Sequence, residues 1–329
     1  MHLPIETVNP LYGLRMYPTA QDIKDRQLDI HWTAKEIPVE KDVQDFKHNM
    51  SYEQFNLASI TLDTFVEIEQ SVGNVWLTIA SWFPHSEIEG ACTVIAAMEK
   101  GVHADFYQKM SDEMNIPPEL TAKNQQEITV LKNKLSLIST ITSDLSSNKP
   151  LSLATVSLIE QVLLFSNFAM LKSFQANGNN LITNTITGVD FVIADETLHG
   201  VLASYLHNTW WKETNESVKD AIYSSHCHNV HNIIREVVSH EDAIIDYVFK
   251  GLKSINDITP AQLKAFVRSR ADSTLTELNI PTLYDITNNP ISEWFYRGVN
   301  SIKLHDFFVS GTSQYRRGWS ETKLRRTHD

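Results

Sequence analysis

Residues 151–175 (LSLATVSLIEQVLLFSNFAMLKSFQ) are nearly all apolar whichever face of a helix they are plotted on. A helix with no polar stripe has no solvent side, so it must lie in the middle of a bundle with other helices around it. Glu160 sits inside this run. Burying a carboxylate without a partner costs several kcal/mol, so a buried carboxylate pairs with a neighbour or binds a metal. Taken alone, Glu160 fits either case.

The flanking sequence supplies the rest of a bundle. From Tyr52 to Trp82, apolar residues recur at three- and four-residue steps (Leu57, Ile60, Phe65, Ile68, Val72, Val75), the helical period. Pro84 ends this segment, and Ser86 with Glu89 resembles a capping box that opens the next helix, which runs to about Met114. Residues 119–142 read as helix and 143–150 as a loop. Further helices are expected over about 185–211, 216–252 and 260–278, with an irregular region from Pro290 onward. Only 11 glycines and 11 prolines in 329 residues agree with long, rarely broken helices. The expected organisation is an all-α chain with an N-terminal arm (1–50), a helical bundle (51–290) and a C-terminal tail (291–329).

A second carboxylate pattern gives Glu160 its context. Residues 192–199 read VIADETLH, which places Glu196 and His199 three apart on one helical face. Two Glu-x-x-His helices with one carboxylate from each of two others form the di-iron or di-manganese bundle site. The second histidine is His103, on a helix with an apolar face, and Tyr107 follows it by one helical turn.

In order along the chain, HWTAKEIP with Trp32, the carboxylate helix near Glu69, His103 with Tyr107, the helix of Glu160, ADETLH, and HDFFVSGTSQY resemble the small subunit of class I ribonucleotide reductase. The likeness spans about residues 32–315, and NLITNT and the last motif are similar to its manganese-using bacterial branch. It implies a ferritin-like helical bundle, with Glu69, His103, Glu160, Glu196 and His199 as metal ligands. Tyr107 matches the radical-bearing tyrosine, Trp32 and Asp195 the pair linking site and surface, and Tyr315 the tail tyrosine that passes the radical on to a cysteine of the large subunit. Asp63 is an alternative to Glu69, at the expense of a six-residue insertion. The implied cofactor is dinuclear iron, manganese or both. The implied partners are the large catalytic subunit and a second copy of the chain, with activation by a flavoprotein or by oxygen alone.

The same gap-free match puts Lys100 where a bridging glutamate is expected. An ammonium brings a positive charge and no acceptor. Three readings stay open. A one-residue bulge could let Glu99 ligate instead. Lys100 could enter the site as a cofactor-binding residue, leaving one metal or none. The site could also be dead.

Other features exclude function classes. The net charge of −12 argues against non-specific nucleic-acid binding, although the end (Arg316, Arg317, Lys323, Arg325, Arg326) is basic and suits docking on the large subunit. Two cysteines, Cys92 and Cys227, imply no disulfide framework and fit a reducing cytoplasm. No signal pattern or uncharged run of about 18 apolar residues is read, so no membrane span is expected. His226, Cys227, His228 and His231 lack zinc-motif spacing and read as incidental histidines on a surface helix. The rival functions are a ferritin-like metal oxidase acting on a lipid-like ligand and a metal store.

Overall fold

The computed structural model describes residues 4–9, 15–143, 145 and 148–301. Its helices are α1 (Pro18–Asp29), α2 (Tyr52–Ala80), α3 (Ser86–Met98), α4 (Ala104–Glu113), α5 (Pro118–Glu127), α6 (Thr129–Ser143), α7 (Lys149–Leu158), α8 (Phe165–Lys172), α9 (Thr183–Glu213), α10 (Glu216–Phe249), α11 (Pro260–Glu277) and α12 (Ser292–Ser301). Among the described residues there is no strand, only an isolated bridge between Ile255 and Ile258.

Two helix pairs frame the middle. Helix α2 packs along α3 and α4, and α7 packs along α9, while α8 touches both α2 and α9. Helix α10 closes one side against α2, α6 and α7, and α11 covers α7, α8 and α10. The apolar run is the centre of this arrangement. Lys149–Gln175 is long and apolar enough to cross a membrane, but its most apolar window is wholly buried inside the bundle. Helix α1 lies in the segment expected as an arm, yet it packs on α3 and α9.

Several helices start where their caps dictate. Ser51 with Gln54 and Thr259 with Gln262 close capping boxes at α2 and α11. At α3 the expected box is absent: the helix begins with Ser86 itself, His85 is the N-cap, and the Ser86 hydroxyl turns to Glu87. Asp42 caps α9 by accepting from the Thr185 amide (2.6 Å) and hydroxyl (2.7 Å). The preceding Ile182 is left-handed (φ 47°), a conformation that costs a β-branched residue of order 1–3 kcal/mol, and Asp45 Oδ2 receives its amide at 2.7 Å. Carboxylates from residues 42 and 45 thus fix the entry of the helix that carries Asp195, Glu196 and His199.

Three expected helices are less regular than their periodicity suggests. Residues 119–142 split at Ile128, whose backbone is extended. The segments 86–114 and 151–175 each contain a π-turn, Glu99–His103 and Ile159–Leu163. Beyond Pro290, where irregular chain was expected, α12 buries Phe295 against Phe165 and Phe266.

Candidate metal centre

Six ionisable side chains from four segments meet in the interior: Glu69 (α2), Glu99 and His103 (first π-turn), Glu160 (second π-turn), and Glu196 and His199 (α9), each no more than 1% exposed. Their ligand atoms fall into two overlapping groups, Glu69, Glu99, His103 and Glu196, and Glu99, Glu160, Glu196 and His199, each within 4.8 Å. Glu99 and Glu196 belong to both. Two adjacent positions sharing two glutamates have the layout of a bridged dinuclear site.

The buried oxygens support that reading. Glu69 Oε1, Glu160 Oε2 and both oxygens of Glu99 and of Glu196 have no hydrogen bond. Glu99 Oε1 lies 2.7 Å from His199 Nδ1, but off the line of a hydrogen bond. Orphaned carboxylate oxygens at zero exposure are unfavourable unless cations occupy the space between them. Four carboxylates and two imidazoles suit first-row divalent metals that accept oxygen and nitrogen donors. The residues present fit a pair of such ions.

Without a cation, the cluster is balanced by protons. Burial and the neighbouring Glu99 and Glu196 push Glu69 well above the usual carboxylate range. Burial, Glu196 and Glu99 do the same to Glu160. Burial opposes the ionised form of Glu196, but the adjacent Glu160, His103 and His199 outweigh it and hold this carboxyl below its ordinary range. Burial also disfavours charged His103 and His199, yet the carboxylates around them raise both. Cations entering such a cluster would displace these protons.

Of the three readings left open for Lys100, its entry into the site as a cofactor-binding residue is corrected here, and the bulge that turns Glu99 inward is the arrangement found. The Lys100 ammonium donates to Asn74 Oδ1 at 2.7 Å on the partly exposed side of α2, while Glu99 turns inward. The π-turn is the physical reason. Its extra residue lets Glu99 and His103, four apart, share the site as Glu196 and His199 do three apart in a regular helix. Asp63 takes no part in the cluster: it is buried, and its Oδ2 accepts from Asn124 Nδ2 at 2.8 Å.

Around the ligands, Asp195 joins several elements. It accepts from Gln27 Nε2 (2.7 Å) and Trp32 Nε1 (2.9 Å), and its Oδ2 lies 3.0 Å from His103 Nε2. Holding the proton on Nε2 leaves His103 Nδ1 facing Glu196 (3.1 Å) and Glu69 (3.3 Å), the orientation a ligand needs. The Trp32 ring stacks on His103 with centroids 6.0 Å apart. Tyr107 is fully buried beside Phe65 (4.4 Å) and Phe106 (5.4 Å), and its hydroxyl has no hydrogen-bond partner. Burial, with the carboxylates nearby, raises this phenol far above its ordinary range, so it stays neutral.

Two side chains that pattern reading did not single out belong to this shell. Trp76 Nε1 donates to Glu160 Oε1 at 2.5 Å. Its signal was available, because it stands two helical turns after Glu69 on the same face of α2. Gln27 had none, since nothing in α1 marks one glutamine over another. Tyr315 and the basic end lie outside the described residues. A further correction concerns His226: it is buried, not on the surface, and its Nε2 lies 3.0 Å from His207 Nε2.

Residues 15–290, well over half of the chain, match the family described as ribonucleotide reductase, small chain. The chain belongs to this family. It is 25% identical over 335 residues to the probable ribonucleoside-diphosphate reductase small subunit 376L of Invertebrate iridescent virus 6, covering 91% of each chain. It is 24% identical to the ribonucleoside-diphosphate reductase subunit beta of Bacillus phage SPbeta, over 88% of this chain and 86% of that one. Among solved structures, the dimanganese(II)-NrdF of Streptococcus sanguinis aligns with a TM-score of 0.73 at 16% identity, over 89% of this chain and 99% of that one. The fold is therefore the ferritin-like helical bundle of these small subunits, and the protein is the small subunit of a ribonucleoside-diphosphate reductase. Such subunits work with a large subunit, and the buried cluster is a dimetal site of that family.

Proposed function

We propose that this small subunit generates an oxidising equivalent at the Glu69, Glu99, His103, Glu160, Glu196 and His199 cluster, stores it at Tyr107, and passes it by way of Asp195, Trp32 and Tyr315 to the large subunit. The observation that carries this reading is the unbroken line from His103 through Asp195 to Trp32, with steps of 3.0 and 2.9 Å. Iron or manganese would supply the one-electron oxidising power when bound. The chain supplies the rest. Asp195 orients His103 and takes the indole hydrogen bond, so a change in charge at the cluster is felt at Trp32. Burial keeps Tyr107 a neutral phenol away from water, which suits a long-lived radical.

The same reading includes a homodimer, activation by a flavoprotein or by oxygen alone, and a cytoplasmic setting, which two free cysteines suit. It also gives Tyr315 and the basic residues after it the task of reaching the large subunit. The test combines electron paramagnetic resonance with turnover in the presence of a large subunit. Tyr107→Phe should abolish the radical signal and turnover. Trp32→Phe and Tyr315→Phe should keep the signal and lose turnover. Full turnover in Tyr107→Phe and Tyr315→Phe together would overturn the relay.

A further inference from the structure

The two π-turns that carry cluster glutamates, Glu99–His103 and Ile159–Leu163, are built alike. In each, a glutamate of the cluster is followed by a long polar residue that leaves in another direction: Lys100 after Glu99, and Gln161 after Glu160. The Lys100 stem crosses Gly73 of α2 so closely that a Cβ there would lie 2.4 Å from Lys100 Cγ and 2.8 Å from Cδ. The Gln161 stem crosses Gly200 of α9, where a Cβ would lie 2.3 Å from Gln161 Cγ and 2.7 Å from Cδ. Both tips are held. Lys100 Nζ donates to Asn74 Oδ1 (2.7 Å), and Gln161 Nε2 donates to Glu277 Oε2 (2.8 Å) and Ser157 Oγ (3.1 Å). Both backbones are held as well: Gln70 Nε2 donates to the Lys100 carbonyl (3.2 Å) and Arg270 Nε to the Gln161 carbonyl (3.0 Å).

A glycine inside a long helix costs roughly 1 kcal/mol against alanine, so Gly73 and Gly200 need a reason to be where they are. A general need for close helix packing does not supply it. Gly188, also on α9, meets the Phe106 ring, whereas Gly73 and Gly200 each meet the residue that directly follows a cluster glutamate. If a π-turn expelled its extra residue, the residues beyond it would rotate by about one position, roughly 100°. Glu99 would then swing out, and the Lys100 ammonium would swing toward the cluster.

We propose that Lys100 and Gln161 are positioning residues, each a stem laid over a glycine of the neighbouring helix that holds its π-turn in the register directing Glu99 or Glu160 into the cluster. This rests on the metal-centre reading above. Lys100, at the place where a bridging glutamate was expected, then acts through its neighbour and never as a ligand.

The test is manganese(II) binding to the full chain by anaerobic equilibrium dialysis, with the position of Glu99 read from crystals of metal-free protein. Wild type should bind two ions. Gly73→Ala, Lys100→Ala and the double variant should each weaken one ion by 10- to 100-fold, with Glu99 displaced in the crystals. Gly200→Ala and Gln161→Ala should act likewise through Glu160. Lys100→Met, which keeps the stem, should bind within a few-fold of wild type. If Lys100→Ala binds as wild type does and restores binding to Gly73→Ala, the effect of the methyl is mere crowding and the clasp is refuted. If wild type itself fails to take two ions, the metal-centre reading falls first.

Discussion

Lys134 offers a quantitative test of how this interior tolerates charge. Its ammonium is fully buried, 2.8 Å from Glu241 Oε1 and 2.9 Å from the Leu163 carbonyl at the end of the second π-turn. Ser166 donates to the other Glu241 oxygen. In Lys134→Met, Glu241 would stand uncompensated, and the least costly response is to take up a proton. From a reference value near 4.3, neutralising a carboxyl at pH 7 costs about 2.7 units, or about 3.7 kcal/mol. Wild type already bears part of this, because burial raises Glu241 even beside Lys134. The expected loss at pH 7 is therefore about 2–3 kcal/mol, within the range for breaking buried pairs once the lost carbonyl bond is added. At pH 5 the protonation cost is only about 1 kcal/mol, so most of the deficit should vanish. Urea midpoints of chelator-treated protein at the two pH values measure it, and Lys134→Met with Glu241→Gln should recover much of the loss at pH 7. A deficit equal at both pH values, or below about 0.5 kcal/mol at pH 7, would refute the argument.

Three other outcomes follow from the same structure. Burial lowers His207 to about 3 and His226 to about 4, so both stay neutral when folded and charge only on unfolding as pH falls below about 6.5. His226→Gln should consequently gain about 2 kcal/mol relative to wild type between pH 7.5 and pH 5, and parallel stability curves would refute the pairing. Burial raises Asp63 to about 6, which removes stability as pH rises from about 4 to 6. Asp63→Asn should therefore stabilise by about 1–2 kcal/mol at pH 7.5 and by nothing at pH 4 in denaturant titrations. Trp76→Phe removes the donor on Glu160 and should weaken manganese(II) binding 10- to 100-fold in dialysis without changing the number of ions bound at saturation.

Charge set against an apolar background made much of the site legible in the chain. Glu160 stands out because almost nothing polar surrounds it, and Glu196 with His199 stand out by their three-residue step. Glu99 is reached only as one of three open readings, through a bulge, because a π-turn leaves no mark in composition. Regular helix geometry keeps Lys100 among the candidates for the site. Gln27 and Trp76 were hidden for another reason: hydrogen bonds across 168 and 84 residues of sequence have no local signature. His226 reads as incidental because its cluster lacks zinc-motif spacing, and the wall that buries it comes from His207 and Trp211 on α9.

Asp195 receives two of its partners, Gln27 and Trp32, from the first fifth of the chain. A shortened protein starting at Tyr52 would keep every cluster ligand, but it would lose Asp42 and Asp45, which fix the entry of α9, and the packing of α1 on α3 and α9. It would also lose Gln27 and Trp32, and with them the indole outlet and both side chains that donate to Asp195. The leading segment thus serves the cluster and its exit together: it seats the helix of Glu196 and His199 and supplies the indole through which the oxidising equivalent is proposed to leave.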